Sequence, residues 1–276
     1  MAVVDTAVHV WEANPKFPFA EGVTPPASDA KPEDLLKMMD ANGVDKTVIV
    51  QPICYKFDNS YVAECIRKWP ERFAAVSRVD PTSEASVEQL DKLKEDGFIG
   101  VRFGPVEQAW WEADVMLKIL QKSADIGFPV LLFLGKDGGQ KLGWIAPVLE
   151  KVPMLKVVID HMADVDPSDA EQMKALCDLA RLPNVNVKIS HTWALSREDY
   201  PWKDSQGLAE EVVKAYGIER VMFASDWPVC QMPSWPGGNT DYATTVKLAK
   251  EEYSFLSEGD RQKLLGGNAM KIWFST

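Results

Sequence analysis

The chain has only three histidines, and each of them falls at the end of a run of apolar residues. His9, His161 and His191 close the first, sixth and seventh of these runs, and Asp226 closes the last one. Imidazole and carboxylate groups are the usual carriers of protons in enzymes, and imidazole is also the commonest metal ligand. A single histidine is more often structural than functional, but this joint placement predicts one catalytic or metal-binding site.

Asp226 lies in the segment 221–228, where the apolar run stops at Ser-Asp-Trp-Pro. A continuous apolar run between helical patterns is typical of a strand that is buried on both faces of a parallel sheet. Pro228 cannot continue the ladder of hydrogen bonds. Asp226 is therefore expected at the carboxyl end of a strand, where parallel α/β folds carry their chemistry. The alternative is a structural carboxylate that caps the next helix or turn.

The elements that would position these residues alternate along the whole chain. Eight apolar runs predict strands at residues 3–10, 47–50, 73–79, 98–103, 129–134, 156–159, 185–189 and 220–224. A helical pattern follows each run, and each crossover is long enough for a parallel βαβ unit. We therefore predict a (β/α)₈ TIM barrel that forms a single domain over residues 1–276, with a doubly wound sheet as the alternative.

The segments outside these units have their own predictions. Residues 11–30 are rich in Pro and Ala and form a long loop, which is uncommon inside a compact domain unless it has a function. Helices near 241–255 and 258–265 are expected to pack on the outside of the barrel. Residues 266–269 are expected to form a turn before the last helical segment.

A barrel of this kind brings the carboxyl ends of its strands together at one mouth. The polar residues at these ends, in chain order, are His9, Gln51, Arg78 or Asp80, Arg102, Lys136, His161, His191 and Asp226.

Arg102 is the most informative cation because it lies inside an apolar run. A buried guanidinium group needs an anionic partner or a bound anion. We expect either a substrate carboxylate or an internal ion pair with Asp226, Glu107 or Asp80.

Aromatic residues are concentrated in the same loops. Seven of the ten tryptophans lie on or near the expected loops after strands: Trp11, Trp110, Trp111, Trp193, Trp202, Trp227 and Trp235. Such a set predicts an aromatic-walled pocket for a planar ligand. Together with Arg102, it predicts a small, planar, anionic substrate.

The bulk composition excludes several other functions. A net charge of −11 argues against nucleic-acid and anionic-membrane partners. The four cysteines lack CxxC spacing, so we expect free thiols in a reducing compartment. The sequence shows neither a secretory leader pattern nor a membrane-spanning run, so a cytoplasmic protein is expected.

Several of these segments resemble the amidohydrolase superfamily, in particular its amidohydrolase-2 branch. Residues 4–11 are similar to the family's opening Asp-x-His-x-His-x-Trp pattern. Further similar segments occur in the family's order at residues 50–52, 55, 58–59, 100–102, 158–161, 187–190, 225–228 and 267–269. The resemblance covers the whole chain and implies the amidohydrolase barrel.

The resemblance also implies roles for individual residues. Asp226 would be the general base that activates water, His9 and His161 would flank the reacting carbonyl group, and Arg102 would hold a substrate carboxylate. The implied reaction is hydrolysis of an ester-like C–O bond, most plausibly in a lactone. Further candidates for substrate binding are Gln51, Tyr55, Lys136, His191, Trp193 and Trp227. His191 matches no ligand position of the family.

The chain departs from the family's metal-binding pattern at two positions. Ala7 stands where the first histidine of the opening pair is expected, and Phe133 stands where the fifth strand would supply a ligand. We therefore predict a metal-independent reaction without a cofactor. The alternative is a zinc- or manganese-dependent hydrolase or decarboxylase that uses His9, His161 and Asp226, since three protein ligands suffice for catalytic zinc.

Ala7 leaves a further alternative open. It is either a natural variation of the family pattern or a His-to-Ala change that slows turnover and leaves ligand binding intact. The second reading is slightly favoured because the surrounding residues keep the pattern closely. A ligand-binding pseudoenzyme that retains the pocket is the remaining hypothesis.

Overall fold

Eight parallel strands form one sheet whose spatial order follows the chain. The computed structural model describes residues 1–135, 137–234 and 238–274. The strands are β1 (Val4–Val8), β2 (Lys46–Val50), β3 (Phe73–Ser77), β4 (Gly100–Phe103), β5 (Val130–Leu132), β6 (Val157–Ile159), β7 (Val185–Ile189) and β8 (Val221–Phe223). Their near-continuous burial is what a parallel sheet covered on both faces requires.

The first and last strands meet at a seam that closes the barrel. Val8 forms a parallel bridge with Trp227. The amide of His9 donates to the carbonyl of Trp227 at 2.7 Å, and the amide of Asp226 donates to the carbonyl of Ala7 at 2.9 Å. The predicted (β/α)₈ barrel is therefore confirmed, and the doubly wound sheet is wrong. His9 and Asp226 become neighbours although 217 positions separate them.

Helices connect successive strands and continue after the last one. They are α1 (Pro32–Ala41), α2 (Ser60–Lys68), α3 (Ala85–Glu95), α4 (Gln108–Trp111), α5 (Asp114–Asp125), α6 (Gly138–Leu149), α7 (Ala170–Asp178), α8 (Thr192–Leu195), α9 (Lys203–Tyr216), α10 (Tyr242–Lys247), α11 (Glu258–Gln262) and α12 (Asn268–Trp273). The short helices α4 and α8 lie in loops and have no counterpart among the predicted elements. Within the described residues, no helix combines the length and apolarity needed to cross a membrane.

The chain does not turn at residues 266–269, and that prediction is wrong. A π-helical segment, Lys263–Gly267, runs directly into α12. A Cβ atom on Gly266 would lie 1.8 Å from the carbonyl oxygen of Ala2. Glycine is therefore required at position 266 because the backbone of the first residues approaches closely, and it does not mark a turn.

The interior of the barrel is a packed core. It is formed by the buried side chains of Val4, Ala7, Val48, Val50, Val76, Leu131, Val158, Met222, Ala224, Ala269 and Trp273. Trp273 from α12 closes the end at which the strands begin: its Nε1 donates to Sδ of Met222 at 3.2 Å, and its ring packs on Gly100. The opposite end, where the strands finish, holds the polar residues.

Candidate active site

A cavity of about 370 Å³ lies at the carboxyl ends of the strands. Its polar side chains are His9, Thr24, Arg78, Arg102, His161, His191 and Asp226. Its apolar wall includes Trp11, Val23, Pro26, Pro52, Phe133 and Met232. The volume and the mixture of an apolar wall with a few convergent polar groups are typical of a small-molecule site. Trp11, Val23 and Pro26 come from the long loop of residues 11–30.

The carboxylate of Asp226 lies between two histidines. Nε2 of His9 is 3.1 Å from its Oδ1, and Nε2 of His191 is 2.8 Å from its Oδ2. Asp226 and His191 are both almost fully buried. Both oxygens of one carboxylate are thus held from opposite sides.

The far nitrogen of each imidazole is held by a group outside the cavity. Nδ1 lies 2.8 Å from the carbonyl oxygen of Val50 in His9, 2.8 Å from Oγ of Ser190 in His161, and 2.8 Å from Oδ1 of Asp164 in His191. These contacts fix the ring orientations, and in His9 and His191 they direct Nε2 at the carboxylate of Asp226. The carbonyl of Val50 can only accept, so Nδ1 of His9 donates to it.

Burial and neighbouring charges separate the pKa values of these groups. Burial disfavours the Asp226 carboxylate, but the imidazoles of His161, His191 and His9 outweigh burial and hold its pKa well below the usual range. Burial also disfavours a charged His191, yet Asp164 and Asp226 raise the pKa of His191 to about 10. Burial and the charge on His191 lower the pKa of His161 to about 4. At neutral pH the site therefore combines the ionised carboxylate of Asp226, the cationic imidazole of His191 and the neutral imidazole of His161.

The backbone at the site is strained. Four consecutive residues, His161 to Asp164, have φ between 48° and 59°, and His191 and Asp226 have φ of 59° and 60°. Non-glycine residues rarely adopt this left-handed conformation, which costs about 1–3 kcal/mol each. Gly138 permits the turn, because a Cβ atom there would lie 2.2 Å from the carbonyl oxygen of Ala163. Strain of this kind is concentrated at functional sites.

Arg102 forms an internal ion pair with a partner other than those expected. Its Nε lies 3.4 Å from Oδ2 of Asp160, so the expected pairing with Asp226, Glu107 or Asp80 is wrong. Nζ of Lys188, fully buried in the barrel, lies 3.0 Å from Oδ1 of Asp160. Burial disfavours the Asp160 carboxylate, but Lys188, His161 and Arg102 outweigh it and lower its pKa to about 2.

Arg78 is the cavity residue that sequence reasoning left unresolved. Its Nη2 donates to the carbonyl of Gly104 at 2.8 Å. Nε and Nη1 are buried without a hydrogen-bond partner among the described residues. Burial and the charge of Arg102 lower the pKa of Arg78 to about 9. Asp80, the alternative at this strand end, accepts from Thr82 outside the cavity.

Four predicted substrate-binding residues do not line the cavity. Gln51 donates to the carbonyl of Asp58, and the hydroxyl of Tyr55 contacts the backbone of Glu12. Trp193 packs against His191 with ring centroids 5.0 Å apart, and Trp227 is buried at the seam. Lys136 and Trp235 lie outside the described residues. Among the described tryptophans Trp11 alone reaches the cavity, so an extended tryptophan wall is wrong.

The two positions that depart from the family's metal pattern have structural roles. Ala7 is buried two residues before His9, in the core inside the barrel. Phe133 lies in the cavity wall, with the guanidinium carbon of Arg102 4.7 Å above its ring and the ring of His161 5.7 Å away, edge to face. Neither residue supplies a ligand atom.

His161, His191 and Asp226 nevertheless fit a divalent cation. One ligand atom from each lies within 4.8 Å of the others. Both imidazoles are anchored through Nδ1, which is the usual outer arrangement of metal-ligating histidines. This set contains His191 in place of the His9 inferred from the sequence.

Comparisons with known proteins agree with this architecture. The chain is 30% identical over 234 residues to 4-sulfomuconolactone hydrolase from Hydrogenophaga intermedia, covering 81% of this chain and 74% of that protein. It is 25% identical to L-fucono-1,5-lactonase from Burkholderia ambifaria, and this match covers 98% of this chain and 94% of that protein.

A similar solved structure is a probable 2-pyrone-4,6-dicarboxylic acid hydrolase from Acinetobacter baumannii with citric acid bound. The two structures superpose with a TM-score of 0.83 at 21% sequence identity, and the match covers 100% of both chains. A model of the amidohydrolase family matches residues 4–274. The chain therefore belongs to the amidohydrolase family and is a hydrolase.

Proposed function

We propose that the protein hydrolyses a lactone, with Asp226 as the general base on the attacking water. The observation that carries the proposal is the position of Asp226, whose two oxygens are held by His9 and His191 inside the cavity. The two curated relatives described above, a sulfomuconolactone hydrolase and a fuconolactonase, support the choice of a lactone.

The reaction needs one proton to move twice. Water attacks the lactone carbonyl carbon, and its proton goes to Asp226. The C–O bond of the ring then breaks, and the departing ring oxygen takes that proton. Because the pKa of Asp226 is held well below its usual range, the group is ionised at neutral pH and readily returns a proton that it has accepted, although it is a weaker base than an ordinary carboxylate. The product is the open-chain hydroxy acid.

Imidazole groups would stabilise the oxyanion that forms on the carbonyl oxygen. His161 is neutral at neutral pH, with its pKa lowered to about 4, and its ring faces the cavity. His9 lies beside the carboxylate of Asp226, with its Nε2 3.1 Å from Oδ1. Loss of one such donor typically costs about 2.7–4 kcal/mol of barrier. We propose His9 and His161 as the groups that flank the reacting carbonyl.

The two arginines support a carboxylated substrate. Arg78 has two buried nitrogen atoms without a partner among the described residues, and Arg102 lies beside it in the cavity. Leaving such donors unpaired is costly, whereas a planar carboxylate can satisfy them. Phe133 and Trp11 offer apolar surface for a flat ring. We propose Arg78 and Arg102 as the site for the substrate's negative charge.

A metal-dependent hydrolase is the second candidate, because His161, His191 and Asp226 fit a cation. A bound zinc ion would polarise the carbonyl group and lower the pKa of its water. We favour the metal-independent reaction, since Ala7 and Phe133 supply no ligand atom at the two positions where the family's metal pattern expects one.

A panel of carboxylated and uncharged lactones tests the proposal with three proteins. The wild type should open a lactone ring, Asp226→Asn should lower kcat by about 10²- to 10⁴-fold, and Asp80→Asn should leave it unchanged. Chelation followed by metal analysis separates the two candidates: retained kcat in metal-free protein supports the first, and a stoichiometric ion whose removal abolishes turnover supports the second. A wild type that binds lactones but opens none would favour a pseudoenzyme.

A further inference from the structure

Asp164 has no role in the reaction proposed above, and His191 enters it only through its hydrogen bond to Asp226. His191 contacts two carboxylates at the same distance: Nδ1 is 2.8 Å from Oδ1 of Asp164, and Nε2 is 2.8 Å from Oδ2 of Asp226. A carboxylate only accepts hydrogen bonds, so a ring between two carboxylates must donate from both nitrogens. His191 therefore cannot accept a proton while this arrangement persists.

Both residues are held in this position by unfavourable backbone conformations. His191 has φ 59° and ψ 12°, and Asp164 ends a run of four residues with positive φ. Neither position is occupied by glycine or asparagine, which adopt positive φ more readily than most residues. Strain of this kind persists only where the surrounding structure imposes it, and it points to a functional constraint.

The stacked rings restrict His191 further. Its ring lies parallel to that of His161, with centroids 3.6 Å apart and an interplanar angle of 2°. The ring of Trp193 also contacts it, edge to face, with centroids 5.0 Å apart. The ring is buried, so it cannot rotate away from Asp226 without displacing a neighbour.

We propose that Asp164 and His191 are positioning residues, which orient the Asp226 carboxylate toward the attacking water. Asp164 orients the ring of His191, and His191 fixes Oδ2 of Asp226, so that the other oxygen keeps a constant direction. This role rests on the proposed function of Asp226 and extends it by two residues. It replaces the expectation that His191 binds substrate.

The kinetic test uses His191→Phe, which keeps a flat ring against His161 and lacks both donors, and His191→Gln, whose amide can still donate to Asp226. Loss of a hydrogen bond to a charged group should lower kcat of His191→Phe by about 10- to 100-fold with little change in KM. His191→Gln should recover part of that loss. Asp164→Asn should lower kcat less, and its matched control Asp166→Asn, in the same loop outside the cavity, should leave it unchanged.

Three results would overturn the proposal. A raised KM with unchanged kcat in His191→Phe would make His191 a substrate contact. A kcat that is retained in His191→Phe and lowered in His191→Gln would make the ring a packing element. Full activity in both His191→Phe and His191→Gln would show that His191 has no role in the reaction. Asp226→Asn separates failure of this proposal from failure of the proposed function. If Asp226→Asn is fully active, Asp226 is not the general base and the proposed function is wrong. If Asp226→Asn is inactive but the His191 variants are fully active, only the positioning role is wrong.

A second measurement needs no substrate. With only three histidines in the chain, the ring nitrogens can be assigned by ¹⁵N NMR from single variants. The proposal expects protons on both Nδ1 and Nε2 of His191 at neutral pH, and loss of the Nδ1 hydrogen bond in Asp164→Ala. A His191 ring with one unprotonated nitrogen would overturn it.

Discussion

The imidazole of His191 stacks on that of His161, with ring centroids 3.6 Å apart and planes within 2°. The two rings differ in charge, because Asp164 and Asp226 outweigh burial and raise the pKa of His191 to about 10, whereas burial and His191 lower the pKa of His161 to about 4. Paired groups with separated pKa values typically divide acid and base roles. Here the cationic ring faces the carboxylate, and the neutral ring is the one that we propose to flank the reacting carbonyl group.

Replacement of either cavity arginine should weaken binding of anionic substrates selectively. Arg78→Met and Arg102→Met should each raise KM for a carboxylated lactone by about 10- to 100-fold, since a hydrogen bond to a charged group contributes about 1.5–3 kcal/mol. KM for an uncharged lactone should change little. Steady-state kinetics on the two substrates check this, with Arg181→Met, an exposed arginine paired with Glu150, as control. Equal effects on both substrates would contradict a charge-recognition role.

Introducing a histidine at position 7 should not improve the enzyme. Ala7 is 1% exposed in the core inside the barrel, and an imidazole there must displace neighbours, at about 1–3 kcal/mol of stability. Both oxygens of Asp226 already have histidine partners. We expect Ala7→His to lower Tm without raising kcat. The control Ala7→Val adds bulk without a ring nitrogen, and a gain in kcat confined to Ala7→His would instead indicate that Ala7 replaces a working histidine.

Asp5 should make the protein less stable as the pH rises. Its carboxylate accepts hydrogen bonds from the amide and hydroxyl of Ser225, yet burial raises its pKa from 3.8 to about 6. A raised pKa means that the folded state binds the proton of Asp5 more tightly than the unfolded state does. The stabilisation that this proton provides is therefore fully present below about pH 3.8 and is lost as the pH rises through about 6.

Urea unfolding at several pH values checks the role of Asp5. Relative to wild type, Asp5→Asn should gain stability between about pH 4 and 7, by on the order of 3 kcal/mol, because it carries no proton to lose. Asp125→Asn, at an exposed position of α5, should track the wild type at every pH. A difference between Asp5→Asn and wild type that does not vary with pH would rule out this titration.

Lys188 should be costly to remove alone and less costly to remove with its partner. Lys188→Met leaves the buried Asp160 carboxylate with Arg102 at 3.4 Å as its remaining cation, and breaking a buried pair typically costs about 3–5 kcal/mol. The double variant Lys188→Met/Asp160→Asn should lose less than the two single losses together. Denaturant melts measure this cycle, with the surface pair Lys122 and Asp91 as a control expected to contribute at most about 1 kcal/mol. Strict additivity would mean that the two charges do not interact.

Much of the barrel could be predicted from the sequence because its signals are local. Apolar runs of strand length alternate with helical patterns, and the ends of the runs indicate which side chains face one mouth. His9, His161, His191 and Asp226 line the cavity for this reason. The role of Gly266 cannot be predicted in this way, because its close contact is with Ala2, at the other end of the chain, and local sequence carries no signal for it.

The details of the site depend on contacts that the sequence does not specify. Arg102 in β4 pairs with Asp160, which directly follows β6, across the intervening strand β5, and this pairing depends on the register of the three strands. Trp193 and Trp227 follow the correct strands, but the strained turns direct their rings away from the cavity into the surrounding core. Arg78 lies one residue after the end of β3, nearer to the strand than Asp80, and of the two only Arg78 lines the cavity.

The seam between β1 and β8 has a consequence for fragments of this protein. A chain that stops before residue 220 would still contain all three histidines, but it would have neither the carboxylate between two of them nor the edge that the first strand needs for pairing. Turnover should therefore appear only when synthesis is nearly finished. Recovery of activity in a refolding experiment would then report ring closure itself, and not the earlier gain of helix content.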